Sequence, residues 1–297
     1  MLAVLGLLAC GVLARRTGAL PDGTATVLDR LVIVLALPGL VLAKVPDLEL
    51  GASTLVPIGV AWGTLLLLIG LVAFLARLRR WSPTTTGTML LCVPLGNTSF
   101  LGFPAVEALL GADHLGPAIV YDQLGSFLAV ATWGSFVAAR WGSGAAPTVA
   151  SVSRRIATFP PFIALVVAVA ARWTGLPGPV ADVADLLGGM LTPLTMLAIG
   201  LRLRIPERAA LPTVATGLGL RLAVAPAAVL GVALWSGASG IVWEAAILEA
   251  AMPPMVTAGI LAIDAGLDER LAAALTGGGI LVALATLPAV AAITQLL

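Results

Sequence analysis

Val93-Pro-Leu-Gly-Asn-Thr-Ser-Phe-Leu-Gly-Phe-Pro104 lies between two stretches, 90–92 and 105–110, that are apolar enough to sit in lipid, yet it is built from helix breakers and hydroxyls. Pro94 and Pro104 lack a backbone N–H and clash with the preceding turn, while Gly96 and Gly102 loosen the chain between them. Irregular backbone at membrane depth is tolerated only where protein buries it or it lines a watery cavity. A discontinuous helix whose half-helix ends point into such a cavity is how secondary transporters form a midplane substrate site.

A second interruption, Glu249-Ala-Ala-Met-Pro-Pro-Met-Val-Thr257, falls about half the chain later and puts Pro253 and Pro254 inside another apolar segment. Each break is followed by an apolar half-helix and a short acidic turn, Gly111-Ala-Asp-His114 and Gly266-Leu-Asp-Glu269. Agreement in order and spacing is the mark of an internal repeat.

Composition sets the class. The chain is 60% hydrophobic and 10% charged, against roughly a quarter charged for a soluble domain, so this is an integral membrane protein embedded in a lipid bilayer. Cys10 and Cys92 both lie in apolar segments, with neither metal-ligand spacing nor a disulfide frame, and read as packing residues. No basic patch interleaved with aromatics points to nucleic acid. There is no HExxH, nucleophile elbow or pair of catalytic carboxylates, so an enzyme is not expected, and neither is a cofactor.

Ten spans are predicted, at approximately 1–14, 26–43, 54–76, 84–110, 115–139, 156–173, 182–201, 209–235, 240–264 and 270–294. The first is not a signal peptide, because Arg15 and Arg16 follow its apolar run rather than precede it. It is short for a ~30 Å core, which implies a thinned bilayer or a start upstream. A Gly/Ser/Ala/Pro-rich linker, 141–155, divides a first five-helix repeat (1–140) from a second (156–297). Counting basic residues on alternate sides puts Arg15, Arg16, Arg30, Arg77, Arg79, Arg80, Arg140, Arg154, Arg155, Arg202, Arg204, Arg208 and Arg270 on one side, and only Lys44 and Arg172 on the other. By the positive-inside rule the linker is cytoplasmic and both termini are outside, in a plasma (inner) membrane. The two halves then have opposite orientations, an inverted repeat.

Arg221 falls near the middle of span eight, where a charge is paired or faces water. Three readings stand: a structural ion pair, attraction of an anionic substrate, or a place at a cavity edge. Glu107, Asp122, Glu244 and Glu249 are the acids inside spans, and Asp122 and Glu249 lie deepest or nearest a break. Glu249 either titrates or ligates a cation, a proton or sodium ion, as the carrier switches, or hydrogen-bonds the unwound backbone. Asn97 offers two donors and an acceptor where the helix is open, and Thr98 and Ser99 add hydroxyls. With the free N–H groups of the following half-helix they would bind a carboxylate; alternatively Asn97 only satisfies the backbone that Pro94 and Gly96 leave unpaired. Pro94, Met252, Pro253, Pro254 and Thr257 complete the expected substrate site.

Weaker signals read as structure. Pro38 and Pro193 occupy matching places in the two halves and are expected to kink scaffold helices. Gly59-Val-Ala-Trp-Gly63 would make either a homodimer face or, more commonly, a close contact within one subunit. His114 is expected in a solvated outer turn.

Gly96-Asn-Thr-Ser-Phe-Leu-Gly-Phe-Pro104, Gly111, Tyr121-Asp122, Arg221-Leu-Ala-Val-Ala-Pro226, Ala250-Ala-Met-Pro-Pro254 and Thr286-Leu-Pro288 together resemble the auxin efflux carrier family, over essentially the whole chain. The resemblance implies an all-α integral membrane fold of ten transmembrane helices in two inverted five-helix repeats, with broken helices four and nine crossing at their prolines. It implies a carrier of organic anions: auxins in plants, malate, malonate or similar carboxylates in bacteria. Asn97 and the surroundings of Pro94, Pro253 and Pro254 inherit the substrate role. Ser99 stands where a glycine is expected, and the long hydrophilic central loop is missing, which favours a prokaryote-like short form. The expected mechanism is alternating access, coupled to protons, to sodium or to the membrane potential. A sodium/proton antiporter, or a bile-acid-symporter-like carrier with the same crossed helices, is the alternative.

Overall fold

The computed structural model describes residues 2–48, 51–142, 148–203 and 211–296. Among these every regular element is helical, apart from a single two-residue antiparallel contact. The helices are α1 (Leu2–Thr17), α2 (Thr24–Lys44), α3 (Leu55–Arg79), α4 (Pro83–Cys92), α5 (98–109), α6 (115–141), α7 (Val149–Ala157), α8 (Pro160–Thr174), α9 (Gly178–Arg202), α10 (Leu211–Ser236), α11 (Ile241–Ala250), α12 (Val256–Asp264) and α13 (Glu269–Thr294). Five helical runs are long and apolar enough to cross a membrane: Thr24–Lys44, Ala52–Arg79, Gly178–Arg202, Leu211–Ser236 and Glu269–Thr294. α7 and α8 qualify as a sixth if joined, and they meet at a 61° bend.

Local chemistry explains where helices start and turn. Ser82 Oγ accepts from Thr85 N at 3.1 Å with Pro83 at the first helical position, and Thr148 Oγ1 and Asp268 Oδ1 cap α7 and α13 in the same way. Gly111 and Gly266, in the two acidic turns, have φ of +106° and +70°, a conformation that a Cβ would strain.

Five stretches widen into π turns: Val32–Ala36, Thr98–Gly102, Asp122–Ser126, Val130–Gly134 and Leu220–Val224. In three of them a proline follows closely, and its ring would strike the carbonyl four residues back. Those carbonyls belong to Val34, Phe100 and Leu222, each inside a π turn, ahead of Pro38, Pro104 and Pro226. Widening the turn relieves the clash without ending the helix. Pro193 instead follows an interruption of α9 at Met190.

The helices pack as two groups, each drawn from both halves of the chain. α1, α2, α8 and α9 form one, held by close approach at glycines. A Cβ on Gly11 would lie 2.9 Å from Gly200 Cα, and one on Gly39 would lie 2.9 Å from Gly188 N. At the linker-side end Arg202 pairs with Asp29, and Arg15 donates to the Leu203 carbonyl. The second group contains α3 to α6 and α10 to α13. It meets the first where α9 touches the opening of α5, and α8 touches α6.

Gly59 and Gly63 make no close packing contact with the described residues, against the commoner expectation for such a motif. A Cβ on either would meet nothing within 4 Å. They border an open apolar groove shared with Ala228, Val229, Val232 and Trp243. Residues 143–147 of the linker, and Arg204 and Arg208 among the counted charges, lie outside the described residues.

Candidate functional site at the crossing of two broken helices

The two interruptions meet and complete each other's backbone. Asn97 N donates to Pro253 O at 2.8 Å and Met255 N donates to Leu95 O at 2.9 Å, an antiparallel contact centred on Gly96 and Pro254. Groups that a break would strand in an apolar interior are thereby paired. Gly102 N then donates to Asn97 O at 3.0 Å, which starts α5.

Arg221, brought in by the π turn of α10 and 1% exposed, is bound by backbone rather than by a carboxylate. Its Nε donates to Met252 O at 2.7 Å, Nη1 to Pro94 O at 3.2 Å and Nη2 to Glu249 O at 3.5 Å. These carbonyls stand at the C-terminal ends of α4 and α11, where partial negative charge collects. Among the described residues no carboxylate oxygen is hydrogen-bonded to the guanidinium, although Glu249 lies close enough for its charge to act on Arg221. Gly96 makes room for it, since a Cβ there would overlap the guanidinium.

Asp122 opens the π turn of α6 and is 2% exposed. Its Oδ1 accepts from Thr98 Oγ1 at 2.5 Å and Ser99 Oγ at 2.6 Å, and its Oδ2 accepts from Gln123 Nε2 at 2.8 Å. Thr98 and Ser99 thus spend their hydroxyls on Asp122. Glu249 is fully buried, and neither of its side-chain oxygens has a hydrogen-bond partner among the described residues.

A cavity of about 310 Å³ runs from the crossing toward the linker-side end. Of its polar lining Asn97 and Asp122 are buried and Ser99 half-buried, whereas Thr257, Arg155 and Asp264 are exposed. Ile33, Leu37, Phe100, Phe127, Phe159, Ile260 and Leu261 supply apolar wall. Asn97 is 2% exposed, and its Nδ2 has no partner among the described residues, so the cavity holds an unused amide donor. It sits at the N-terminal entry to α5, and Thr257 lies in the first turn of α12, so two positive helix ends converge there. Two cavities lie at the opposite end, one beside Lys44 and Asp113, the other beside Glu107 and Asp185 and reaching only Phe103 of the first break.

Of the residues singled out in the sequence, Asn97, Ser99, Thr257 and Asp122 gather at this cavity. Pro94, Met252, Pro253 and Pro254 form the crossing behind it, Thr98 braces Asp122, and Arg221 and Glu249 are buried outside it. Sequence reasoning missed Arg155, which it counted only as an orienting charge. The capped helix α7 carries it to the cavity, with Nη1 3.4 Å from Ser135 Oγ. It also missed Phe127 and Phe159, whose rings stack at 4.0 Å.

His114 departs from the solvated turn expected of it: it is 8% exposed, with Nε2 2.9 Å from Glu244 Oε2. The pair ties the turn after α5 to the start of α11. His114→Ala is expected to lower stability by about 1–3 kcal/mol, read from thermal unfolding in detergent.

A family model described as membrane transport protein matches residues 1–291. An uncharacterized transporter of Methanothermobacter thermautotrophicus is 30% identical over 292 residues, covering 97% of this chain and 95% of that protein. Another, from Methanocaldococcus jannaschii, is 27% identical over 212 residues, 68% of each chain.

Proposed function

The chain belongs to the membrane transport protein family, that of the auxin efflux carriers, and on that premise we propose that it carries a small organic anion, a carboxylate, by alternating access. The observation that carries the reading is the buried Asn97 amide, with an unused N–H at the floor of a cavity where two helix N-termini meet. A carboxylate there accepts from Asn97 and faces two positive dipole ends without a cation deep in the site. Arg155, nearer the mouth, draws the anion in. The apolar walls favour a monocarboxylate with an apolar body over a dicarboxylate, whose second charge would lie against phenylalanines.

In this reading the chain forms ten spans in two inverted five-helix repeats, sits in the plasma membrane with both termini outside, and has its linker in the cytoplasm. The cavity then opens inward. The group holding both broken helices rocks against α1, α2, α8 and α9, exposing the crossing to each side in turn.

The test is a thermal-shift screen of the detergent-purified protein with malonate, malate, indole-acetate, bile acids and sodium, because a ligand that binds only the folded state raises its melting temperature. One carboxylate class is expected to stabilise the wild type. Asn97→Ala is expected to weaken that ligand by about 10- to 100-fold, the loss of one hydrogen bond to a charged group. An undiminished response in the variant, or stabilisation by sodium alone, overturns the reading, and the latter favours a cation antiporter.

A further inference from the structure

Glu249 is the buried charge that the carrier reading leaves without a task. It stands in the last turn of α11, 0% exposed, with neither Oε1 nor Oε2 hydrogen-bonded to any described residue. The carboxyl rests on the backbone of α5: a Cβ on Gly102 would lie 2.5 Å from Oε2 and 2.7 Å from Oε1. Arg221, from α10, gives its N–H groups to backbone oxygens, including that of Glu249 itself, and not to this carboxyl.

The other charged and titratable groups that face it are Asp122 and Tyr121, both from α6. α3 and α13 carry their charges near their ends, at Arg77, Arg79, Glu269 and Arg270, and Glu244 of α11 is engaged by His114. Asp122 differs sharply from Glu249, because three donors hold it. The Arg221 charge nearby attracts an ionised Glu249, but its N–H groups are given to main-chain oxygens; a carboxylate with no donor, in an apolar interior and near a second carboxylate, is disfavoured, and one added proton removes its charge.

We propose that Glu249 is a proton-binding site, loaded in the arrangement seen here, and that its proton couples transport. The coupling rests on the carrier reading; the loaded state does not. When the moving group hydrates the carboxyl, the O–H bond breaks, the electron pair stays on Glu249 and the proton passes to water. A proton taken from water on the other side restores the bond. A monocarboxylate and a proton then cross together as a neutral pair.

Infrared spectroscopy of the purified protein at neutral pH, with no substrate added, tests the loaded state. The carbonyl stretch of an un-ionised carboxyl, shifted in heavy water, is expected in wild type and in Asp122→Asn and is lost in Glu249→Gln. If a variant does not fold, labelling glutamate with heavy carbon at the carboxyl must move the wild-type band. No band in wild type, or a band kept in Glu249→Gln, overturns the proposal.

Coupling is read in proteoliposomes holding a pH dye, with lactate or indole-acetate outside and protein-free vesicles as the baseline. Wild type is expected to take up protons with the anion; Glu249→Gln is expected to keep anion exchange and lose proton uptake. A sodium requirement that vanishes in Glu249→Gln, together with a missing infrared band, would make Glu249 a cation ligand and overturn the proposal. If neither anion binds, the carrier reading fails while the infrared result still decides the state of Glu249.

Discussion

Arg221→Gln is expected to destabilise the protein by about 3–5 kcal/mol, the scale seen when one partner of a buried charged interaction is removed. The guanidinium reaches Met252 O, Pro94 O and Glu249 O, and so joins the ends of two half-helices. A glutamine is shorter and serves at most part of that set, leaving helix-end carbonyls unpaired in an apolar interior. Arg221→Lys keeps the charge without the planar fork and recovers only a fraction. Membrane proteins often unfold irreversibly, so the rate of loss of the monodisperse species at fixed temperature is the better readout beside the melting temperature. A variant that melts with wild type would show that the crossing is held by its own backbone pairing alone.

Gly96→Ala is expected to cost about 3 kcal/mol, at the upper end of the range for overpacking. The added methyl takes the place of the guanidinium, so the arginine or the backbone of the break must move. Because both substitutions damage one contact, their effects should not add. Gly96→Ala combined with Arg221→Gln is expected to be little worse than Arg221→Gln alone. Full additivity, measured by the same unfolding rates, would place the strain of Gly96→Ala elsewhere.

Much of this architecture was legible because prolines and glycines punctuate an apolar chain so plainly. Pro94, Gly96, Pro253 and Pro254 announced two breaks, and the breaks do meet through Asn97 N and Met255 N. Side-chain partners were less legible. Arg221 carries a full charge, which invites the search for a carboxylate, but the oxygens it binds belong to the main chain and leave no trace in residue identity. Arg155 was hidden for a different reason, since a charge beside a hinge serves orientation and a cavity mouth equally well. His114 was misjudged because its partner, Glu244, lies on the other broken helix, and pairing at that separation depends on the crossing itself. Asn97 was the reverse case, a polar group at an opening, where a residue's type and its place already limit what it does.

The π turns have a further consequence. Each holds one residue more than the α-helix around it would, and one residue is about 100° of rotation. Side chains beyond Asp122–Ser126 and Leu220–Val224 therefore run a step out of phase with those before them. Tightening either stretch into a regular α-helix with all its residues kept would swing the remainder of that rod to a new face, with every side chain unchanged. In these places the length of the sequence is as much a part of the site as the identity of Asp122 or Arg221.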